Sequence, residues 1–266
     1  MTNRDLDWAR RAYEMGDTEE SKKAHLQAHQ ANEKHRLHSN VIKSFTYGGV
    51  DGVLTTFAII STAVGADVSA SLVVIFGLSN IISNALSMAF GDYMSNKTEI
   101  EFQRAEKARE TWEVDNNPEG EMQEMEEIYM AKGMGEDDAK KMSEILSRNK
   151  KAWVDVMMVE ELGIIEEPED PLKNGLITFF SFFICGVLPL LPFIHGMSNK
   201  GGQLGGLYIV SVSLAGIVLY IIGAIKSKIV GVGYMKLGLE TVFVGVITGG
   251  VAYLAGRVLS PLQDDY

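Results

Sequence analysis

The chain has 266 residues, 46% of them hydrophobic and 22% charged, with a formal charge of -11 and a single cysteine, Cys185. The acidic balance argues against a nucleic-acid partner, and one cysteine excludes both an intrachain disulfide and a Cys-based zinc site. The charge is concentrated: residues 97–170 hold 22 acidic and 10 basic side chains, a net of -12, so the rest of the chain is nearly neutral and mostly apolar. That split predicts a membrane domain carrying an acidic soluble insert, with lipid as its surroundings.

Residues 1–40 read as a soluble, helical N-terminal segment, two short helices broken near Gly16-Asp17. The stretch MTNRDLDWARRAYEMGD lacks the apolar core of a signal peptide. His25/His29 and His35/His38 have spacings that suit a metal, but solvated histidines on a polar helix are the better reading. Lys34, Arg36 and Lys43 then form a cytosolic-type flank before the first apolar run.

Five spans follow. Span one, Ser44 to Ala66, is 23 residues with one charge, Asp51, enough for about 30 Å of hydrocarbon. A short turn, Ala66-Asp67-Val68-Ser69, leads into span two, which has no charged residue between Val68 and Phe90 and then runs on as a charged helix. Residues 41–96 therefore form a hairpin of two spans. Residues 97–170 are the insert, with breaks at Asn116-Asn117-Pro118 and Gly133-Met134-Gly135, and a last helix ending at Gly163. Residues 171–260 hold span three (Leu172 to Ile194, with Pro189 and Pro192 near its end), span four (Leu204 to Ile225), a basic loop at Lys226-Ser227-Lys228, and span five (Ile229 to Leu259). Residues 261–266 are a polar tail. An odd span count separates the termini. Positive charge puts the N-terminus and insert in the cytosol and the C-terminus in a lumen. The fold class is thus an all-α membrane protein, five transmembrane helices with a cytosolic helical acidic insert between helices 2 and 3, which the family resemblance given below makes a metal-binding insert.

Three constellations could carry chemistry. A carboxylate at Asp51, inside an apolar span, needs a partner, a proton or an ion. Gly48 and Gly52 around it form a G-x-x-x-G that lets another helix approach closely. Met88 lies near the cytosolic end of span two, at a depth similar to Asp51. An oxygen with a thioether suits a borderline cation such as Fe2+ better than Mg2+ or Ca2+. Asn80 and Asn84 add oxygen donors on the same helix. In the insert, Glu106, Glu110 and Glu113 share one helix face, Glu121 and Glu124 follow the Pro118 break, and Met157, Met158 and Glu161 lie on the last helix. On spacing alone these acids read as a solvated face. In span five, Lys236 and Glu240 are spaced to neutralise each other. No motif for phosphate cradling, a catalytic triad or dinucleotide binding occurs, and nothing supports a bond-breaking enzyme.

YGGVDGVLTTFAI in span one, NALSMAFGDYMSNKTE at the end of span two, WVDVMMVEELG before span three and LITFFSFFICGVLPLLPF in span three together resemble the vacuolar iron transporter family, over roughly Asn40 to Leu259. The resemblance implies a homodimer of five-span subunits that moves Fe2+, and Mn2+ in many members, from cytosol into a vacuole in exchange for protons. It implies a transport pathway lined by Asp51 and Met88, with Asn80 and Asn84 beside it. It also implies insert ligands at Glu110, Glu113, Glu121, Glu124, Met157, Met158 and Glu161, beside Glu106, with Fe2+, Mn2+, Zn2+ or Co2+ as candidate ions. Asn40 and Asn80 stand where plant-like members carry Glu. The expected function is a divalent-metal/proton antiporter of a vacuolar or other acidic-organelle membrane. The alternative is a membrane-anchored metal buffer or sensor that moves nothing.

Overall fold

The computed structural model describes residues 15–20, 23, 35–165, 170–198, 204–230 and 233–263. The two N-terminal helices expected before residue 35, and His25 and His29, lie outside the described residues. His35 and His38 are helical, but their side chains also lie outside that description. At Gly16-Asp17 the predicted break is present. Gly16 has φ 65°, and Asp17 Oδ1 accepts from the backbone N–H of Glu19 and Glu20 at 3.0 Å each.

The described residues are helical throughout their ordered elements. Helix α1 is His35–Gly65 and α2 is Ala70–Asn116. Between them the chain reverses through Asp67, whose φ of 57° is one that Asp tolerates better than most residues. Val68 N–H reaches back to Ala63 O at 2.9 Å, closing the end of α1. Helix α2 has 47 residues, about 70 Å at 1.5 Å per residue, far more than a bilayer core requires.

Three shorter helices follow: α3 (Pro118–Ala131), α4 (Glu136–Ser147) and α5 (Lys150–Glu160). Pro118 is the first residue of α3, where its missing N–H costs nothing. Asn149 caps α5 by accepting from Ala152 N–H at 3.1 Å. Past α5, Gly163 takes φ 66°, a conformation open to glycine at little cost. Val114 of α2, Met125 and Tyr129 of α3, Ala139 of α4, and Trp153, Met157 and Met158 of α5 form one buried core. The ion pair Lys107–Asp155 at 2.7 Å and a second, Lys150–Asp115, tie α5 to α2.

Helix α6 is Pro171–Val187, capped by Asp170, whose side chain accepts from Leu172 and Lys173 N–H. The chain passes through a tight turn at Leu188–Leu190 and continues as α7, Leu191–Ser198. The prolines reshape the helix without ending the span. Helices α8 (Leu204–Val230) and α9 (Tyr234–Leu259) complete the bundle. Lys226-Ser227-Lys228, expected as a loop, is the last turn of α8, and span five starts at Tyr234 instead of Ile229. At a helix end near the membrane surface the charged side chains can reach water while the backbone stays hydrogen-bonded.

Five stretches are long and apolar enough to cross a membrane: Val41–Gly65, Ala70–Asn116, Pro171–Met197, Leu204–Ser227 and Tyr234–Leu259. Helix α1 is central, packing against α2, α6, α8 and α9. On one side Ile60, Val73, Ile81, Phe182 and Phe193 are buried together. On the other, Val53, Phe57, Cys185, Leu219 and Ile222 form a second core. The glycine pair Gly48/Gly52 admits α6: a Cβ on Gly52 would collide with the Phe182 carbonyl. Lys236 and Glu240 make no ion pair with each other. Both are exposed, so of the two expectations for them, a neutralising pair or side chains reaching toward water, the pair is not formed.

Candidate metal centre and membrane pathway

The insert gathers three of its acids. Glu110 projects from α2, Glu121 from α3, and Glu161 lies just past α5. One carboxylate oxygen from each lies within 4.8 Å of those from the other two. Glu110 has no exposed surface and Glu121 is 6% exposed. Both Glu110 oxygens and Glu161 Oε2 are buried without a hydrogen-bond partner. Buried, unsatisfied carboxylates are costly, so this triad is chemically incomplete without protons or a cation. An all-oxygen set at this spacing fits a divalent cation.

The electrostatics agree. Burial, then the charges of Glu110, Glu113 and Glu124, push Glu121 up to about 7. Burial, then Glu110, Glu124 and Glu121, push Glu161 up to about 7. Glu110 is also raised, burial outweighing the opposing pull of Arg109.

The other predicted ligands stand outside this group of three carboxylates. Glu106 and Glu113 are held by Arg109: Nη2 donates to Glu106 Oε2 at 3.0 Å and Nη1 donates to Glu113 Oε2 at 2.6 Å. Arg109 Nη2 also stands 2.7 Å from Glu110 Oε1, off the direction of a hydrogen bond. Glu124 is exposed on α3 and contributes its charge to the triad's field. Met157 and Met158 are 0% and 1% exposed, and both pack in the insert's apolar core. Arg109 escaped the sequence reading, although its place between Glu106 and Glu113 at helical spacing was a usable signal.

In the membrane half, Asp51 is half-buried on α1 and accepts from Thr55 Oγ1 at 3.5 Å. Asn84 Nδ2 donates to Asn80 Oδ1 at 2.8 Å, so the two predicted oxygen donors partly satisfy each other. Met88 lines a cavity of about 530 Å³ together with Tyr47, one helical turn before Asp51. Asp92, also missed from sequence, lines the same cavity.

The VIT family model matches residues 42–257 of the chain. Curated relatives match along nearly its whole length. The vacuolar iron transporter of Toxoplasma gondii is 39% identical over 269 residues, 96% of this chain and 89% of that protein. That of Plasmodium falciparum is 37% identical over 263 residues, 94% of this chain and 95% of that protein. Vacuolar iron transporter 1 of Arabidopsis thaliana is 28% identical over 231 residues, covering 85% of this chain and 89% of that protein.

Proposed function

The chain belongs to the VIT family, and on that premise we propose that it is an integral membrane transporter that moves Fe2+, with Mn2+ as a second substrate, out of the cytosol into a vacuole-like compartment in exchange for protons. The observation that carries this reading is the continuity of α2, one helix that bears both Met88 in its membrane half and Glu110 in the triad. Twenty-two residues separate them, about 33 Å along the axis. A rigid rod thus joins a site that can collect a dication to the membrane bundle.

In this reading the insert and N-terminus face the cytosol and the C-terminus faces the lumen. The triad Glu110, Glu121 and Glu161 takes the ion, with Fe2+, Mn2+, Zn2+ and Co2+ all compatible with its oxygens. Asp51 and Met88 receive it in the membrane, where the Asp51 carboxylate exchanges metal for a proton. The working unit is a homodimer. Ser79, Ser83 and Ser87 form an exposed polar stripe on α2 beside half-buried Asn80 and Asn84. Hydroxyls and amides of this kind serve as interhelical contacts within a membrane, and a second copy of α2 supplies the partner.

The test is Fe2+ uptake into proteoliposomes under an imposed pH gradient, wild type beside Asp51→Ala and Met88→Ala. Gradient-driven uptake that is lost in both variants supports the antiporter. Metal bound by the protein but never moved would leave the buffer or sensor reading, and uptake indifferent to the gradient would leave a passive channel.

A further inference from the structure

We propose that Asp92, together with the Met88 thioether, forms a transit site for the divalent ion in a vestibule between the insert triad and Asp51, an inference that rests on the transport reading above. The 530 Å³ cavity holding Met88 is lined also by Asp92, Ser95 and Glu99. A second cavity of about 380 Å³ shares Asn96 and Glu99 with it and extends to Gly163 and Ile164. Gly163 is two residues past Glu161 of the triad. The triad carboxylates line neither cavity, but together the two run from Gly163, at the insert, to Met88.

The polar residues along this route share a helix face. On α2, positions 88, 92, 95, 99, 103, 106, 110 and 113 follow one another at steps of three or four, and the last three are the glutamates held by Arg109.

Within this face Asp92 is fixed by neutral donors from three helices. Thr178 Oγ1 of α6 donates to Oδ2 at 2.6 Å, Ser44 Oγ of α1 donates to the same oxygen at 3.4 Å, and Asn96 Nδ2 donates to Oδ1 at 2.9 Å. Thr178 has no exposed surface and Ser44 is 6% exposed. These hydroxyls hold one edge of the carboxylate from the packed side. No cation answers its charge: Asp92 makes no ion pair among the described residues, and Lys43 at the cavity rim is exposed and makes none with it. A tie between helices needs only an acceptor, which Asn supplies as well as Asp. A fixed, uncompensated carboxylate facing a cavity with a thioether is instead a seat for a dication.

The experiment uses the full chain in proteoliposomes, with Fe2+ kept reduced, and reads KM and Vmax for wild type, Asp92→Asn, Asp92→Glu and Thr178→Val. Asp92→Asn keeps an acceptor and loses the charge, and it is expected to raise KM about tenfold. Asp92→Glu recovers most of that loss. Thr178→Val keeps the charge and moves KM less. Wild-type kinetics in Asp92→Asn overturn the proposal, and so does an equal loss in Thr178→Val, which would make Asp92 a helix tie alone. A second measurement is independent of flux: Mn2+ binding to the detergent-purified full chain carrying Glu161→Gln. Adding Asp92→Asn is expected to remove one component of the Mn2+ isotherm, and an unchanged isotherm overturns the site. Wild-type vesicles that take up no Fe2+ would sink the transport reading, while the Mn2+ isotherm would still decide whether Asp92 holds the ion.

Discussion

Arg109 Nη2 stands 2.7 Å from Glu110 Oε1, and Glu110 has no exposed surface. The same guanidinium ion-pairs with Glu106 and Glu113. The acidic stripe of α2 is therefore neutralised in part by a resident cation, and a metal at the proposed triad site would have to share Glu110 with it. Arg109→Gln is expected to lower the melting temperature of the full chain in chelator, by an amount corresponding to about 1–2 kcal/mol, kept small because the guanidinium is partly exposed. The same change is expected to tighten metal binding about tenfold, since the competing charge is gone. Calorimetric titration of detergent-purified protein with Mn2+ measures it. Unchanged affinity would mean that Arg109 and the metal do not compete for Glu110.

Loading of the proposed triad site is expected to depend on pH. Glu121 and Glu161, each pushed up to about 7, hold protons in the metal-free fold that the unfolded chain has already released. Their contribution to metal-free stability is undiminished below the ordinary carboxylate range near 4.5, and it is lost as pH rises from there through about 7. Metal binding needs the deprotonated carboxylates, so affinity rises across the same window and levels off above it. Melts in chelator and Mn2+ titrations, each from pH 5 to 8, should therefore slope in opposite directions. Parallel slopes would show that these carboxylates do not hold the ion.

Among the seven acids and thioethers implied as insert ligands with Glu106, the triad separates two classes. Glu161→Gln removes an oxygen from the cluster and is expected to weaken insert metal affinity by at least about tenfold. Glu106→Gln touches a side chain held by Arg109 and outside the cluster, and a change within about threefold is expected, as for a partly exposed pair. Titration of the two variants side by side checks this. Equal losses would mean that the ion sits nearer Arg109 than the triad geometry implies.

What the sequence disclosed follows from how far each signal reaches along the chain. The five spans, the turn at Asp67, the start of α3 at Pro118 and the positive-φ glycine, Gly163, just past α5 are legible because apolar length, proline and glycine act locally, although α5 itself ends at Glu160, three residues before the expected stop. The close approach of α6 was readable at Gly48 and Gly52, though not which helix would use it. Selecting Glu110, Glu121 and Glu161 from a field of acids needed the packing of α3 and α5 on α2, which spacing does not encode. Asp92 was passed over because its partners Ser44 and Thr178 are 48 and 86 residues away. The basic loop at Lys226–Lys228 failed for a different reason. A run of charge reads as a helix stop, but the backbone has no cause to break there.

The Gly52 crossing gives the most direct test of the bundle itself. A Cβ added at Gly52 meets the Phe182 carbonyl, carbon and Cα, all backbone of α6. No rotamer can relieve that contact, so α1 and α6 must separate along a seam where Thr178, packed on Gly48, also reaches Asp92 of α2. Gly52→Ala is expected to cost about 1–3 kcal/mol, as overpacking does, read as a lower melting temperature in detergent. The matched control is Gly216→Ala on α8, where an added Cβ meets nothing within 4 Å. There the gain in helix propensity should leave stability equal or raised by up to about 1 kcal/mol. If the two variants melt together, the crossing is looser than its contacts indicate. If Gly52→Ala alone loses both stability and metal uptake, the α1–α6 seam positions the vestibule as well as the fold.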